Sequence, residues 1–135
     1  MQTVGRDATR TLEPFVRQGT VLLTSYRRDG TPVGTPVNMA VEGDHAYIRT
    51  YGSAWKLKRM RNNPLVEVAP STLRGKPTGP AIRARARLLE GVEAAHASRL
   101  LAHKHPILHG FLVPLTHRLW RERTVHLELR PVEAA

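Results

Sequence analysis

The sequence predicts a small, mainly β domain: a six-stranded antiparallel barrel with helices on one flank. Three observations predict it. Short β-branched or alternating apolar runs recur, separated by turn formers such as Asp29-Gly30 and Glu42-Gly43-Asp44. Helical periodicity is confined to a leading segment, a basic segment after the third strand, and a pair inserted before the last strand. The 135 residues suit one domain, residues 1–135, with one core.

The elements follow in order. Thr11 to Arg17 reads as a short helix with Leu12, Phe15 and Val16 on one side, ended by Gly19. Thr20 to Tyr26 is β-branched and apolar, a strand. Asp29-Gly30 is a hairpin signal. In the next strand, about Val33 to Val41, Val37, Met39 and Val41 share a face. Pro32 and Pro36 lack amide donors, which places this strand at an edge or gives it a bulge. His45 to Thr50 completes the meander. Leu65 to Ala69 is the fourth strand. The loop from Pro70 to Pro80 is rich in turn formers and long enough to suggest a role beyond connection. In the fifth strand, Ala81 to Glu90, Ile82, Ala84, Ala86 and Leu88 share one face and Arg83, Arg85 and Arg87 the other. Val92 to Lys104 is a helix with Ala97, Leu100 and Leu101 as its apolar side. A second helical segment carries Leu108, Phe111, Leu112, Leu115 and Leu119, with Pro114 inside it. The sixth strand, Thr124 to Arg130, points Val125, Leu127 and Leu129 inward.

The segment from Ser53 to Pro64 carries the chemistry. Ser53 is a candidate N-cap, and Pro64 pushes Asn63 out of helical geometry. Lys56, Lys58, Arg59 and Arg61 are cationic and no acid lies among them. A cation in the first turn opposes the macrodipole, and a bound anion reverses that penalty. Helix-start amides, a Ser hydroxyl and a Lys make a phosphate site. The bland alternative is a solvated basic helix.

Net charge is +10, from 21 Lys plus Arg against 11 Asp plus Glu, so anionic ligands are favoured. Without cysteine there is no disulfide, thiolate metal site or thiol nucleophile. No apolar run approaches membrane-spanning length and the N-terminus has no apolar signal region, so a cytoplasmic protein is expected. His103, His105 and His109 read as surface histidines rather than metal ligands, because residues two apart on a helix do not share a face.

Three stretches carry a family resemblance. They are the hairpin Asp29-Gly30-Thr31-Pro32 running on to Pro36-Val37-Asn38, the segment Thr50 to Pro64 with its Lys56-x-x-x-x-Arg61-Asn62-x-Pro64 arrangement, and the Ala69-Pro70-Ser71 to Arg74-Gly75 loop leading into residues 81–89. In these the chain resembles the pyridoxamine 5′-phosphate oxidase-like superfamily, of the FMN-binding split-barrel type. Within it, the chain resembles most the flavin/deazaflavin oxidoreductases that use coenzyme F420. The resemblance covers nearly all of the chain from Thr20. It implies a homodimeric split β-barrel with the cofactor in a groove shared between subunits. It implies that Thr50, Ser53 and Lys56 hold phosphate and that Val37 and Asn38 lie along the ring. Pro36, Arg49, Tyr51, Ala54, Trp55, Arg61 and Arg74 are the further cofactor-binding candidates. Trp55, like Trp120, is also a candidate for core or interface packing, and the Ala69 to Arg74 loop is a candidate contribution from the second subunit.

The implied activity is hydride transfer between coenzyme F420 and a small planar organic substrate such as a quinone, enone or tetrapyrrole. The ring supplies that chemistry, so no catalytic residue is assigned; Tyr26, Tyr51 and the histidines are proton donors by type only. The polyanionic tail of F420 asks for a cationic track, which Lys58, Arg59, Arg74, Lys76 and the Arg83/Arg85/Arg87 face offer. The alternatives are an FMN-binding oxidoreductase or a tetrapyrrole-binding protein of the same fold. From another class, a basic nucleic-acid-binding module is the alternative, which the sparse strand aromatics argue against.

Overall fold

The computed structural model describes the backbone of residues 4–51, 54–104 and 124–132, and the side chains of 7–50, 58–104 and 124–132. Strands β1 (Thr20–Tyr26), β2 (Pro32–Glu42), β3 (His45–Tyr51), β4 (Leu65–Pro70), β5 (Ile82–Leu88) and β6 (Thr124–Pro131) close into an antiparallel barrel in the order β1-β2-β3-β6-β5-β4. Alternation decides what fills it. Val21, Leu23, Val37, Met39, Ala46, Ile48, Val66, Val68, Ala84, Val125, Leu127 and Leu129 point inward and form one core.

Helices finish the barrel in three places. Helix α1 (Val4–Leu12) and a 3-10 turn at Glu13–Phe15 bring Leu12 and Phe15 into the same core. Helix α2 (Ala54–Asn62) brings Met60 into it and packs on β1. Helix α3 (Gly91–Lys104) lies outside, over β2, β3 and β6, where Ala97 and Leu101 pack on Ala40, Tyr47 and Leu89. A flanking helix was expected; closure by the two shorter helices is an addition to that expectation.

The outside helix is clasped at both ends. His96 Nε2 lies 2.9 and 3.0 Å from the two carboxylate oxygens of Glu42, which also accepts from Tyr47 Oη at 3.2 Å. Burial works against charge on Glu42, but bonds from His45, His96 and Tyr47 hold its carboxyl below the usual range. At the other end, Lys104 Nζ donates to Met39 O at 2.8 Å and Phe15 O at 3.4 Å.

Two expectations need correction. The first helix was expected over Thr11 to Arg17; it runs Val4–Leu12, and the chain tightens to 3-10 geometry where Pro14 removes an amide donor. Val16 is exposed rather than packed. Pro32 and Pro36 stand where β2 pairs with β1 alone, since β3 joins only from Asn38 onward, so the edge position expected for them holds there. The helical segment expected around Leu108 to Leu119 lies outside the described residues. Among the described residues, no helix is long and apolar enough to cross a membrane.

Candidate functional site

Two residues separate the end of β3 from the start of helix α2. Its first turn holds no acid, and Arg59 and Arg61 stand in its last turn, where cations suit the macrodipole. Asn63 N donates to Arg59 O at 2.9 Å and closes the helix ahead of Pro64. Ser53, and the side chains of Tyr51, Ala54, Trp55 and Lys56, lie outside the described residues. What the described backbone supplies is a helix N-terminus set beside the end of β3.

Across the outer surface next to it runs a row fixed by strand register. Thr20 pairs with Asn38, Asn38 with Arg49, and Arg49 with His126. Directly opposed residues share a face, so Asn38, Arg49 and His126 stand side by side outside the barrel. His126 is the residue that sequence reading missed. Its Nε2 is buried and has no hydrogen-bond partner among the described residues. Burial, and then the Arg49 charge, push its pKa down to about 4, so the ring is a neutral imidazole at physiological pH. Such a ring can donate one hydrogen bond and accept another. Its outward position was legible from alternation, but its place beside Arg49 needed the β3–β6 register.

Other candidates sit differently. Val37 was expected along the ring system and Thr50 at the phosphate. Both face the interior, and Thr50 is only 5% exposed, so only their backbone is offered to a ligand outside. Pro36 is on the outer face and exposed. Arg61 is exposed and borders a cavity of about 190 Å³ with Met60, Pro64, Ala86, Leu88 and Leu127. Arg74 is exposed in a loop strapped to its own barrel through Ser71 N to Thr20 O and Thr78 N to Pro70 O. Tyr26 donates its hydroxyl to Glu67; that bond and burial raise its pKa to about 12, which disfavours it as a proton donor. His103 is exposed at the end of α3, and His105 and His109 lie outside the described residues.

On β5 the cationic track loses Arg87, while Arg83 and Arg85 are exposed. Arg87 donates to Glu93 at 2.7 and 3.1 Å and to Glu128 at 3.2 Å. A cationic concavity also lies beside the second half of α2. Arg27 and Arg28, in the β1–β2 turn, share a cavity of about 470 Å³ with Lys58, Arg59 and Asn62 of α2. Reading the turn from sequence left those two arginines unassigned.

No family model and no curated protein matches this chain. Solved structures do. A pyridoxamine 5′-phosphate oxidase from Listeria innocua, so described provisionally, aligns at TM-score 0.60 and 18% identity, over 93% of this chain and 94% of that one. A FAD-binding protein from Mesorhizobium loti aligns at TM-score 0.56 and 21% identity, over 93% and 88%. A heme storage protein from Vibrio cholerae aligns at TM-score 0.63 and 13% identity, over 91% and 92%. The fold is therefore that of the pyridoxamine 5′-phosphate oxidase-like split barrels. Likeness at these identities establishes architecture and leaves the ligand to the site.

Proposed function

We propose that the chain binds a phosphate-bearing planar redox cofactor of the flavin class, that this cofactor is coenzyme F420, and that the bound pair reduces or oxidises a small planar organic substrate. The observation that carries the reading is the juxtaposition of an acid-free helix start with the Asn38–Arg49–His126 row. The helix-start amides and Lys56 take the phosphate, where dipole and charge act together. The row beside them offers an amide, a guanidinium and a neutral imidazole to the polar edge of a ring. A flavin-binding protein among the structures of like fold supports the class.

The donor set suits such a group. When bound, the deazaflavin supplies hydride transfer; the chain's residues orient it and set its electrostatics. Arg49 stabilises negative charge on the ring, and His126, neutral beside it, holds a hydrogen bond without adding a competing charge. In this reading two copies of the chain close the groove together, so light scattering should give twice the 15.1 kDa chain mass.

The test is a titration by absorbance and fluorescence with F420, FMN and hemin. F420 should bind most tightly. Lys56→Ala should weaken it about ten- to hundredfold, the loss of one charge-assisted bond of ~1.5–3 kcal/mol. Arg99→Ala, exposed on α3, is the control and should change nothing. Tighter FMN binding would move the identity to a flavin. A hemin spectrum with no flavin or deazaflavin binding would replace the reading with tetrapyrrole binding, which likeness to the heme storage protein favours as the second choice.

A further inference from the structure

A cavity of about 340 Å³ lies on the wall of the barrel where β4 runs between β1 and β5. Leu65 and Val132 supply apolar lining, and Tyr26, Asn63, Glu67 and Arg83 supply polar groups. Strand register sets the charged ones. Glu67 alternates with the buried Val66 and Val68, so it points outward, and it is directly opposed to Arg83 of β5. Directly opposed residues share a face with Cβ atoms about 5 Å apart. A carboxylate and a guanidinium therefore stand side by side on the outer surface. No ion pair joins them among the described residues; the Tyr26 hydroxyl donates to Glu67 instead. That bond raises the pKa of Tyr26 and the Arg83 charge lowers it, so the hydroxyl feels both groups. The surroundings are held in place. Asn63 Oδ1 accepts from Leu65 N at 3.2 Å, and Val132 N donates to Arg83 O at 3.0 Å. Leu65 is 43% exposed, an open apolar surface beside two opposite charges.

This wall faces away from the proposed cofactor site. In the ring β1-β2-β3-β6-β5-β4, β4 lies across the barrel from β3, which carries Arg49 at the centre of the row. The charge balance differs as well. Glu67 repels a polyanion, so Arg83 beside it is poorly placed for an anionic cofactor tail. The pair suits a ligand that carries both signs. A guanidinium fork takes the two oxygens of a carboxylate, and a carboxylate accepts from an ammonium. An apolar body on that ligand would cover Leu65 and Val132 and remove their surface from water. The volume falls at the lower end of the ~300–1,000 Å³ of small-molecule pockets.

We propose that this cavity binds a free α-amino acid with an apolar side chain, its carboxylate on Arg83, its ammonium on Glu67 and its side chain against Leu65 and Val132. The site is independent of the cofactor reading. The experiment is calorimetric titration of the full chain with L-leucine, 4-methylpentanoate, leucinol and glycine, in wild type, Arg83→Gln, Glu67→Gln and Lys56→Ala. Of these ligands, 4-methylpentanoate lacks the ammonium, leucinol the carboxylate and glycine the side chain. Far-UV circular dichroism checks that each variant is folded. Leucine should bind one per chain. Each analogue should bind at least about tenfold more weakly, through loss of a charge-assisted bond or of apolar contact. Arg83→Gln should weaken leucine by a similar factor without weakening leucinol, and Glu67→Gln should do so without weakening 4-methylpentanoate. Lys56→Ala should leave leucine within about twofold, well under the tenfold that 1.4 kcal/mol represents. The proposal falls if leucine does not bind, if 4-methylpentanoate or leucinol binds as tightly as leucine, or if both folded cavity variants bind leucine as wild type does. It falls too if Lys56→Ala abolishes leucine binding, which would put the ligand in the cofactor site. Absence of F420, FMN and hemin binding with leucine binding intact would sink the cofactor reading and leave this one standing.

Discussion

The arginines on the outer face of β5–β6 and the cations around the β1–β2 turn look alike as sequence and differ in what the fold brings to them. Arg87 receives Glu128 from the neighbouring strand and Glu93 from α3, and Arg130 donates to Glu128 at 3.0 Å. Those bonds raise the pKa of both guanidiniums. Around the turn, Arg27, Arg28, Lys58 and Arg59 line a cavity to which no described acid contributes. Arg87 and Arg130 are neutralised within the protein by Glu93 and Glu128, while Arg83 and Arg85 of the same face stay exposed. A charge count cannot separate them, because Glu128 is 41 residues from Arg87 in sequence and reaches it only through strand register.

The comparison breaks hardest at a cation that belongs to neither set. Lys104 is the last residue of α3. Its ammonium donates to carbonyls of Met39 and Phe15, tying α3 to β2 and to the 3-10 turn. Lys104→Ala should destabilise the fold by ~1.5–3 kcal/mol, the range for a charged hydrogen-bond donor. Urea denaturation measures this; a change near zero would mean that the clasp is ornamental.

Glu128→Gln tests the neutralised set. Glu128 is 5% exposed, while the Arg87 and Arg130 side chains are about half exposed and can turn to water. That exposure keeps the expected loss to ~1–3 kcal/mol, below the value for a wholly buried pair. Urea denaturation measures this; an unchanged midpoint would mean that these ion pairs add nothing to the fold.

Acid separates two groups of residues by pH window. His126 has a folded pKa of about 4 against an ordinary 6.5, so between those values the unfolded chain takes up a proton that the folded chain refuses. Stability contributed by the neutral ring is therefore present above pH 6.5 and falls as pH drops toward 4. Glu42, Asp44, Glu93 and Glu128 have folded pKa values below their ordinary 3.8 to 4.5, so their contribution is present above that range and is lost below it. His126→Gln should flatten the melting-temperature profile between pH 6.5 and 4 and leave the steeper acid limb. An unaltered profile would assign the upper slope to another group.

Much of the barrel was legible and the site only partly so, for one physical reason. Strand β1 runs Thr20–Tyr26 as its β-branched run dictates, and the Ile82/Ala84/Ala86/Leu88 face turns inward as alternation requires. These are local patterns. The first helix was misplaced because Pro14 acts within the next turn and the apolar spacing of Leu12 and Phe15 spans two kinds of helix. The Asn38–Arg49–His126 row joins three strands, and the Arg27/Arg28 cavity joins a turn to a helix some thirty residues on. Such juxtapositions follow from closure of the sheet, which no short window contains. Val37 shows the converse: its inward face was readable from alternation with Met39 and Val41, and it packs in the core as that pattern requires.

The smallest expected effect is the sharpest test of the contrast. In Arg27→Gln/Arg28→Gln, two exposed cations leave a cluster that contains no described acid, so no ion pair with a lining residue is broken. Surface changes of this kind usually alter stability by within about 0.5 kcal/mol. The variant also loses the attraction between Arg27 and Asp29, which offsets any relief of repulsion among the cations, so it should stay within that range of wild type. Urea denaturation midpoints measure this. Destabilisation by more than ~1 kcal/mol, beyond the usual surface range, would mean that the two arginines hold the turn together, and that both basic regions are structural.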